Sequence, residues 1–79
     1  MKCFVKVMPR EVILDTQGRV VETHLKEKGF KVEQCRIGKM IELDLNLNSS
    51  SEMNEEVQKM MQAGLYNPLI EKYEIIHGT

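Results

Sequence analysis

Two cysteines and two histidines are the first candidates in this 79-residue sequence for binding a metal or supplying a nucleophile. Cys3, His24, Cys35 and His77 together would complete the four ligands of a zinc site. Their positions show neither the C-x₂-C nor the H-x₃-H spacing typical of such sites. Both cysteines fall in predicted strands, without a helix N-terminus or a cation cluster to activate a thiol. The sequence therefore predicts structural thiols, surface histidines and no metal site.

Phosphate-binding and hydrolytic motifs are also missing, because the chain has no glycine-rich phosphate loop, G-x-S-x-G or H-E-x-x-H. A helix N-terminus near Gly18 and Arg19 could bind an anion, but Asp15 would stand where the anion must lie. Capping of the helix by Asp15 is the favoured interpretation. Glu55 and Glu56 are adjacent and cannot share a helical face as an acid–base pair. We therefore expect no catalytic and no cofactor-binding residues in this chain.

Composition limits the class of protein. With 42 % apolar and 29 % charged residues, the sequence predicts one soluble domain spanning residues 1–79. It lacks the roughly 18 consecutive apolar residues of a membrane helix, so we expect a cytoplasmic protein. The net charge of −1 combines nine Lys/Arg and five Asp/Glu in residues 1–40 with two Lys and seven Asp/Glu in residues 41–79. This balance argues against a nucleic-acid partner and predicts a dipolar surface.

The first half of the chain predicts a strand, a helix and a second strand. Residues 2–8 combine β-branched residues with two interleaved lysines and stop at Pro9, which predicts the first strand. A helix capped by Asp15 should end near Gly29, which suits the left-handed position after a helix. Residues 32–37 are interpreted as the second strand.

The second half begins with the clearest strand pattern. After a predicted turn at Gly38 and Lys39, apolar and polar residues alternate from Met40 to Leu47. Ser49 or Ser51 should then cap a second helix.

Two residues should end that helix. Gly64 weakens it and Pro68 forbids its continuation, and residues 69–76 are interpreted as the last strand.

The predicted element order is β-α-β-β-α-β, which indicates an α+β two-layer sandwich of ferredoxin-like topology. In this βαββαβ fold, two helices cover one face of a four-stranded antiparallel sheet whose first and third strands are central. The other face has no cover within the chain. Phe4, Met8, Cys35 and Tyr73 are candidates for that face, and a half-apolar open face predicts self-association or a partner.

Three short motifs resemble those of one known family. VILDTQG at residues 12–18 resembles the V-L-D-P-Q-G sequence before its first helix, and Arg36-Ile37-Gly38-Lys39 matches its R-x-G-K turn. NPLIEKY at residues 67–73 resembles its N-P-V-I-E-D-Y sequence before the last strand. The sequence thus resembles the PurS family, the small subunits of phosphoribosylformylglycinamidine synthase. It departs from the family at Thr16, where Pro is usual, and at Gly64, where Leu is usual.

The resemblance implies a non-catalytic subunit of an ATP-dependent ligase in de novo purine biosynthesis. A glutaminase subunit would release ammonia, and a large synthetase subunit would hold ATP and magnesium. The small subunit, as a homodimer or a dimer of dimers, would bridge the two and support ammonia transfer.

The candidate partner-interface residues are polar or turn positions in the family motifs, namely Arg36, Gly38, Lys39, Asn67 and Glu71. Turn chemistry explains part of each motif equally well. The alternative function is a small-molecule-binding regulatory dimer module of ferredoxin-like topology. An acylphosphatase-like enzyme would need glycines at residues 9–11, and an RNA-binding sheet would need aromatic residues on the strand that begins at Met40.

Overall fold

A computed structural model describes residues 1–77 of the chain. Three antiparallel strands form one sheet in the order β2-β1-β3, with two helices and a π-helical turn between them. The elements are β1 (Lys2–Pro9), α1 (Thr16–Glu27), β2 (Lys39–Asp44), α2 (Ser50–Met60), the π turn (Met61–Leu65) and β3 (Glu71–His77). The predicted α+β class is confirmed.

β1 is the central strand and carries the core. Its alternation places Cys3, Val5 and Val7 on one face, where each is buried, whereas Lys2 and Lys6 lie on the other. The strand pairs with β2 on one side and β3 on the other. Period-two burial of small apolar side chains therefore fixes the register of the whole sheet.

α2 covers the core face of β1. The Ser49 side chain accepts a hydrogen bond from the amide of Glu52, as the capping pattern predicted. The stripe of Met53, Val57 and Met61 is buried against the sheet. Because Met53 and Val57 of α2 and Met61 of the π turn follow one helical spacing, a single apolar stripe supplies half of the buried core.

The helix ends where the sequence predicted. Gly64 adopts φ 129° inside the π turn, a conformation that other residues rarely take. The chain then enters an extended conformation at Tyr66, whose ring meets Tyr73 edge to face at 4.8 Å between centroids. Tyr73 therefore lies on the covered face of the sheet, and its prediction for the open face was wrong.

The predicted second strand does not form, so the sheet has three strands rather than four. Residues 30–38 contain neither helix nor strand. The amide of Cys35 donates to the Glu22 carboxylate and that of Ile37 donates to the Asp15 carboxylate. Because side chains of α1 and its cap use these amides, they are not available to a neighbouring strand. The strand that begins near Met40 was predicted to lie at the centre of the sheet beside β1. In the structure this strand is β2, and it lies at an edge. Gly38 is therefore not part of a hairpin turn.

α1 does not pack on the sheet beside α2, contrary to the predicted two-helix layer. Gly18 is its only buried residue, and its apolar residues Val20 and Val21 are 64 % and 36 % exposed. Residues 10–38, here called the arm, make the chain elongated, with extents of 48 × 28 × 14 Å and a radius of gyration of 15.7 Å. A compact domain of this length has a radius of gyration of about 12 Å.

The open face of the sheet is partly as predicted. Phe4 and Met8 are half-buried on it, but Cys35 lies in the arm. Charged pairs cross the same face, with Lys2 3.5 Å from Glu42 and Lys6 3.0 Å from Glu74. Exposed ion pairs contribute little to stability, so these charges serve mainly to keep the face hydrated.

Replacing one buried methionine tests where the core lies. Met53→Ala should lower the free energy of unfolding by about 2–5 kcal/mol, because it leaves a cavity under α2. Met40→Ala is the matched control, since Met40 is 56 % exposed, and it should change stability by less than about 1 kcal/mol. Urea denaturation at one fixed protein concentration measures both values. Equal losses would place the core elsewhere.

Candidate functional site

The three motifs converge at the end of the sheet where β1 finishes. Val7 of β1 pairs with Lys39 on one side, and Pro9 pairs with Glu71 on the other. Lys39 Nζ lies 3.9 Å from Glu71 Oε2, which joins the second motif to the third. Ile37 bonds to Asp15, which joins the second motif to the first. Residues distant in the sequence therefore form one cluster, here called the sheet-end cluster.

A charged network fixes Arg36 in this cluster. Its Nη1 lies 3.1 Å from Glu11 Oε2, and its Nη2 donates to the carbonyl of Pro9. Lys72 Nζ lies 2.6 Å from Glu11 Oε1. The Lys72 hydrogen bond, aided by the charges of Arg36 and Lys72, lowers the pKa of Glu11. Sequence reasoning missed Glu11 and Lys72, because only folding brings residues 61 positions apart into contact.

Asn67 organises the turn before β3. Its side-chain oxygen accepts from the amide of Leu69 at 3.1 Å, and its own amide donates to Glu71 Oε1 at 2.7 Å. Arg10 completes the turn, because its amide donates to the Ile70 carbonyl and its Nε donates to the Pro68 carbonyl. These hydrogen bonds show that Asn67 forms the turn. Glu71 takes part in the same turn by accepting from the Asn67 amide.

Position 38 must be glycine, because neighbouring atoms of β1 leave no room for a side chain. A Cβ at this position would collide with the Val7 carbonyl and the Met8 sulfur. Glycine therefore allows the backbone at the end of the arm to lie directly against β1, so that β2 begins in register with it. Of the five predicted interface residues, Gly38 and Asn67 have roles in the fold itself, whereas Arg36, Lys39 and Glu71 carry charge in the cluster.

Two carboxylates hold the arm together. Asp15 Oδ1 accepts from the Gly18 amide at 2.9 Å and Asp15 Oδ2 accepts from the Ile37 amide at 2.7 Å. Further along α1, Glu22 Oε1 accepts from the Cys35 amide at 2.8 Å. These backbone hydrogen bonds lower the pKa of both carboxyl groups. Asp15 is thus the predicted helix cap and also binds the segment that returns along α1.

The two cysteines lie in different parts of the fold. Cys3 is fully buried in β1, and this burial raises the pKa of its thiol. Cys35 is half-buried in the arm, and the side chain of His77 lies outside the described part of the structure. Among the residues that the structure describes, no three His, Cys, Asp or Glu side chains could hold a metal ion together. No helix of this same part is long and apolar enough to span a membrane.

Comparison with protein families gives a match over nearly the whole chain. Residues 2–77 match the family described as PurS, phosphoribosylformylglycinamidine (FGAM) synthase. The phosphoribosylformylglycinamidine synthase subunit PurS of Thermotoga maritima is 33 % identical over 75 residues, covering 94 % of this chain and 92 % of the relative. The corresponding subunit of Archaeoglobus fulgidus is 31 % identical and covers 85 % of each chain.

Solved structures agree. PurLQS from Thermotoga maritima contains a chain that matches with a TM-score of 0.87 at 33 % identity, over 95 % of this chain and 93 % of that one. PurS from Methanocaldococcus jannaschii, described as a subunit of formylglycinamide ribonucleotide amidotransferase, matches with a TM-score of 0.85 at 32 % identity, over 95 % and 92 %. These similarities favour a synthase subunit over a small-molecule regulatory module.

Acidification should release the returning segment from α1. Because the pKa values of Asp15 and Glu22 are depressed in the folded chain, their bonds are fully present above the ordinary values of about 3.9 and 4.3. The bonds are lost as pH falls through the lower folded values. The amide signals of Ile37 and Cys35 should therefore titrate below about pH 4 in NMR spectra.

A single substitution separates the two bonds. Asp15→Asn should remove the titration of Ile37 and leave that of Cys35. An Ile37 amide that does not respond to acid in the wild-type chain would contradict the arm geometry.

Adding a methyl group at Gly38 should disturb the start of β2. Gly38→Ala should cost about 1–3 kcal/mol through overpacking and shift the amide signals of Val7 and Met8. Gly29→Ala is the control, because Gly29 has φ 90° but open space around it. It should cost stability through backbone strain and leave the signals of Val7 and Met8 unchanged. Unperturbed signals in Gly38→Ala would refute the crowding.

Proposed function

This chain belongs to the PurS family of phosphoribosylformylglycinamidine synthase subunits, and we propose that it acts in the enzyme by holding the other subunits in productive contact. Its place is in purine biosynthesis, as a subunit of FGAM synthase. The observation that carries the proposal is the sheet-end cluster. All three family-like motifs meet there, and their polar groups are engaged in ion pairs, turns and caps.

We infer that the chain supplies no catalytic residue. In the described residues, Asp15 and Glu22 bond to backbone amides, and Glu11 is paired with Arg36 and Lys72. Carboxylates held this way have lowered pKa values, which suits acceptors of fixed hydrogen bonds rather than proton donors at neutral pH. ATP and magnesium would then be bound by the large synthetase subunit.

The partners that fit this role are the large synthetase subunit and the glutaminase subunit. Ammonia made at one site must reach the other before it is lost to solvent, so the subunits gain from a high effective concentration. Arg36, Lys39 and Glu71 form the charged part of the proposed contact surface, and Gly38 and Asn67 hold it in shape. Charged rims of this kind direct a partner and its orientation. The complex would work in the cytoplasm.

A homodimer is the proposed form of the subunit. The arm exposes Val12, Leu14, Val20 and Phe30, each more than half accessible. One helix on a three-stranded sheet also gives a thin core for a domain of this size. A second copy would bury these groups with the same residues on both sides of a twofold axis.

Omitting the chain from a reconstituted enzyme should lower glutamine-dependent synthesis by at least about tenfold, because ammonia would no longer be passed between tethered sites. Free ammonium supplied to the large subunit should restore much of the rate. The measurement is FGAM formation with glutamine or with ammonium as nitrogen donor. If the glutamine-dependent rate does not change, the bridging role fails.

Charge reversal tests the surface itself. Lys39→Glu should weaken assembly and the glutamine-dependent rate, whereas Lys59→Glu is the control, because Lys59 lies on α2 with a 72 % exposed side chain and pairs with its helix neighbour Glu56. Equal losses in both variants would remove the sheet-end cluster from the interface.

A further inference from the structure

The turn that leads into β3 exposes a large apolar side chain to solvent. Leu69 is 82 % exposed, and Ile70, the next residue, is 42 % exposed. Ile70 also lines a shallow groove with Pro9 and Ile37, so the two side chains continue into a larger apolar surface. Both lie outside the arm, whose exposed residues the proposed homodimer would bury. A joined apolar surface of this kind marks a contact with some other molecule.

Hydrogen bonds fix the backbone that carries Leu69. The Asn67 side-chain oxygen accepts from the Leu69 amide at 3.1 Å, and the Asn67 carbonyl accepts from the Ile70 amide at 3.1 Å. Arg10 holds the same turn from the end of β1, because its Nε donates to the Pro68 carbonyl at 2.8 Å and its amide donates to the Ile70 carbonyl at 2.9 Å. The ring of Pro68 also restricts its own φ. The backbone is thus set before a partner arrives, which lowers the entropic cost of binding.

Turn chemistry explains the neighbours of Leu69 but not Leu69 itself. Asn suits the first position of a β-turn because its side chain bonds to the backbone two residues on, and Pro suits the second because its φ is preset. The third position does not require a large apolar side chain. Leu69 also does not belong to the buried core or to the side chains packed against it. An aliphatic side chain on a rigid support is what an interface uses as its anchor.

The charged side chains around this turn carry a positive surplus. The sheet-end cluster and the turn contain four cations and three carboxylates, namely Arg10, Arg36, Lys39, Lys72, Glu11, Asp15 and Glu71. Asp15 accepts from two backbone amides, and the single carboxylate of Glu11 is shared by two of the cations. Arg10 donates to a neutral carbonyl, and that bond leaves its charge uncancelled. A partner surface that complements this region is therefore acidic.

We propose that Leu69 anchors this chain to another synthase subunit by entering an apolar pocket of that subunit whose rim is acidic. The inference rests on the proposed bridging role, and it names the anchoring residue and the chemistry of the partner at the sheet-end cluster. A second copy of this chain does not fit as the occupant. A twofold contact through the same surface would bring two positive clusters together, and a contact with a different surface of the copy would generate a ring or a filament rather than a dimer.

The first test titrates the full chain into fixed amounts of the synthetase and glutaminase subunits and follows glutamine-dependent synthesis. Leu69→Ala should raise the half-saturating concentration of the chain at least about tenfold, because a buried anchor is lost, and should reach the wild-type rate at saturation. Met40→Ala is the matched control, since Met40 is 56 % exposed and lies beside Lys6 on the open face of the sheet. It should change neither value. An unchanged half-saturating concentration in Leu69→Ala, or an equal shift in Met40→Ala, overturns the proposal.

The second test determines the sign of charge at the rim of the pocket. Leu69→Lys and Leu69→Glu both remove the apolar anchor, but only Leu69→Glu places a negative charge against an acidic rim. Its half-saturating concentration should therefore be at least about threefold higher than that of Leu69→Lys, and the difference should shrink as salt shortens the Debye length below its value of about 10 Å at 0.1 M. Equal values at low salt, or the reverse order, overturn the acidic rim.

Two measurements on the free chain exclude an indirect effect. The urea midpoint of Leu69→Ala should match that of the wild type, because the side chain is exposed and packs on no core residue. Sedimentation equilibrium should give the same dimer dissociation constant for both chains. A dimer weakened tenfold by Leu69→Ala would make Leu69 a contact between copies and would overturn the proposal.

The outcomes separate this inference from the proposed function. If Leu69→Ala assembles like the wild type while omission of the chain lowers glutamine-dependent synthesis, the bridging role stands and only the anchor is wrong. If the synthase does not need the chain, the bridging role fails and the anchor fails with it.

Discussion

The Asp15 carboxylate determines the path of the arm, because it joins both ends of that segment. One oxygen accepts from the first turn of α1 and the other accepts from Ile37, 22 residues further along. With Glu22 bonding to Cys35, it commits residues 30–38 to α1 instead of to the sheet. The same bonds explain a sheet with three strands, β2 at its edge, and a helix that leaves the core. A charged acceptor with two amide donors is a strong local arrangement, and no neighbouring strand competes for those amides.

Local pattern was enough to predict most of the elements. The strand over residues 2–8, the caps at Asp15 and Ser49, and the break in the helix at Gly64 all depend on neighbours within a few residues. The prediction of a strand at residues 32–37 was wrong, because the conformation of this segment depends on side chains 13 and 22 positions away. Glu11 was missed for the same reason, since its partners Arg36 and Lys72 are distant in sequence. The motifs were recognisable, but only the sheet brings them together.

The charge asymmetry of the sequence gains a physical meaning in this fold. The basic surplus of the first half lies mainly in β1 and at the start of β2, because the arm carries six Lys/Arg against five Asp/Glu, and the acidic surplus of the second half surrounds β2 and α2. A chain of 79 residues would thus contribute geometry to the synthase, while the chemistry stays in its partners.

Small-angle X-ray scattering of the purified chain tests most directly whether the arm leaves its own sheet. The account predicts a particle with the mass of two chains at working concentrations, with dissociation on dilution giving a monomer no more compact than the 15.7 Å radius of gyration of the single chain. A particle of one chain's mass with a radius of gyration of about 12 Å, the value for a compact domain of this length, would mean that α1 folds back on its own sheet. That result would contradict the account.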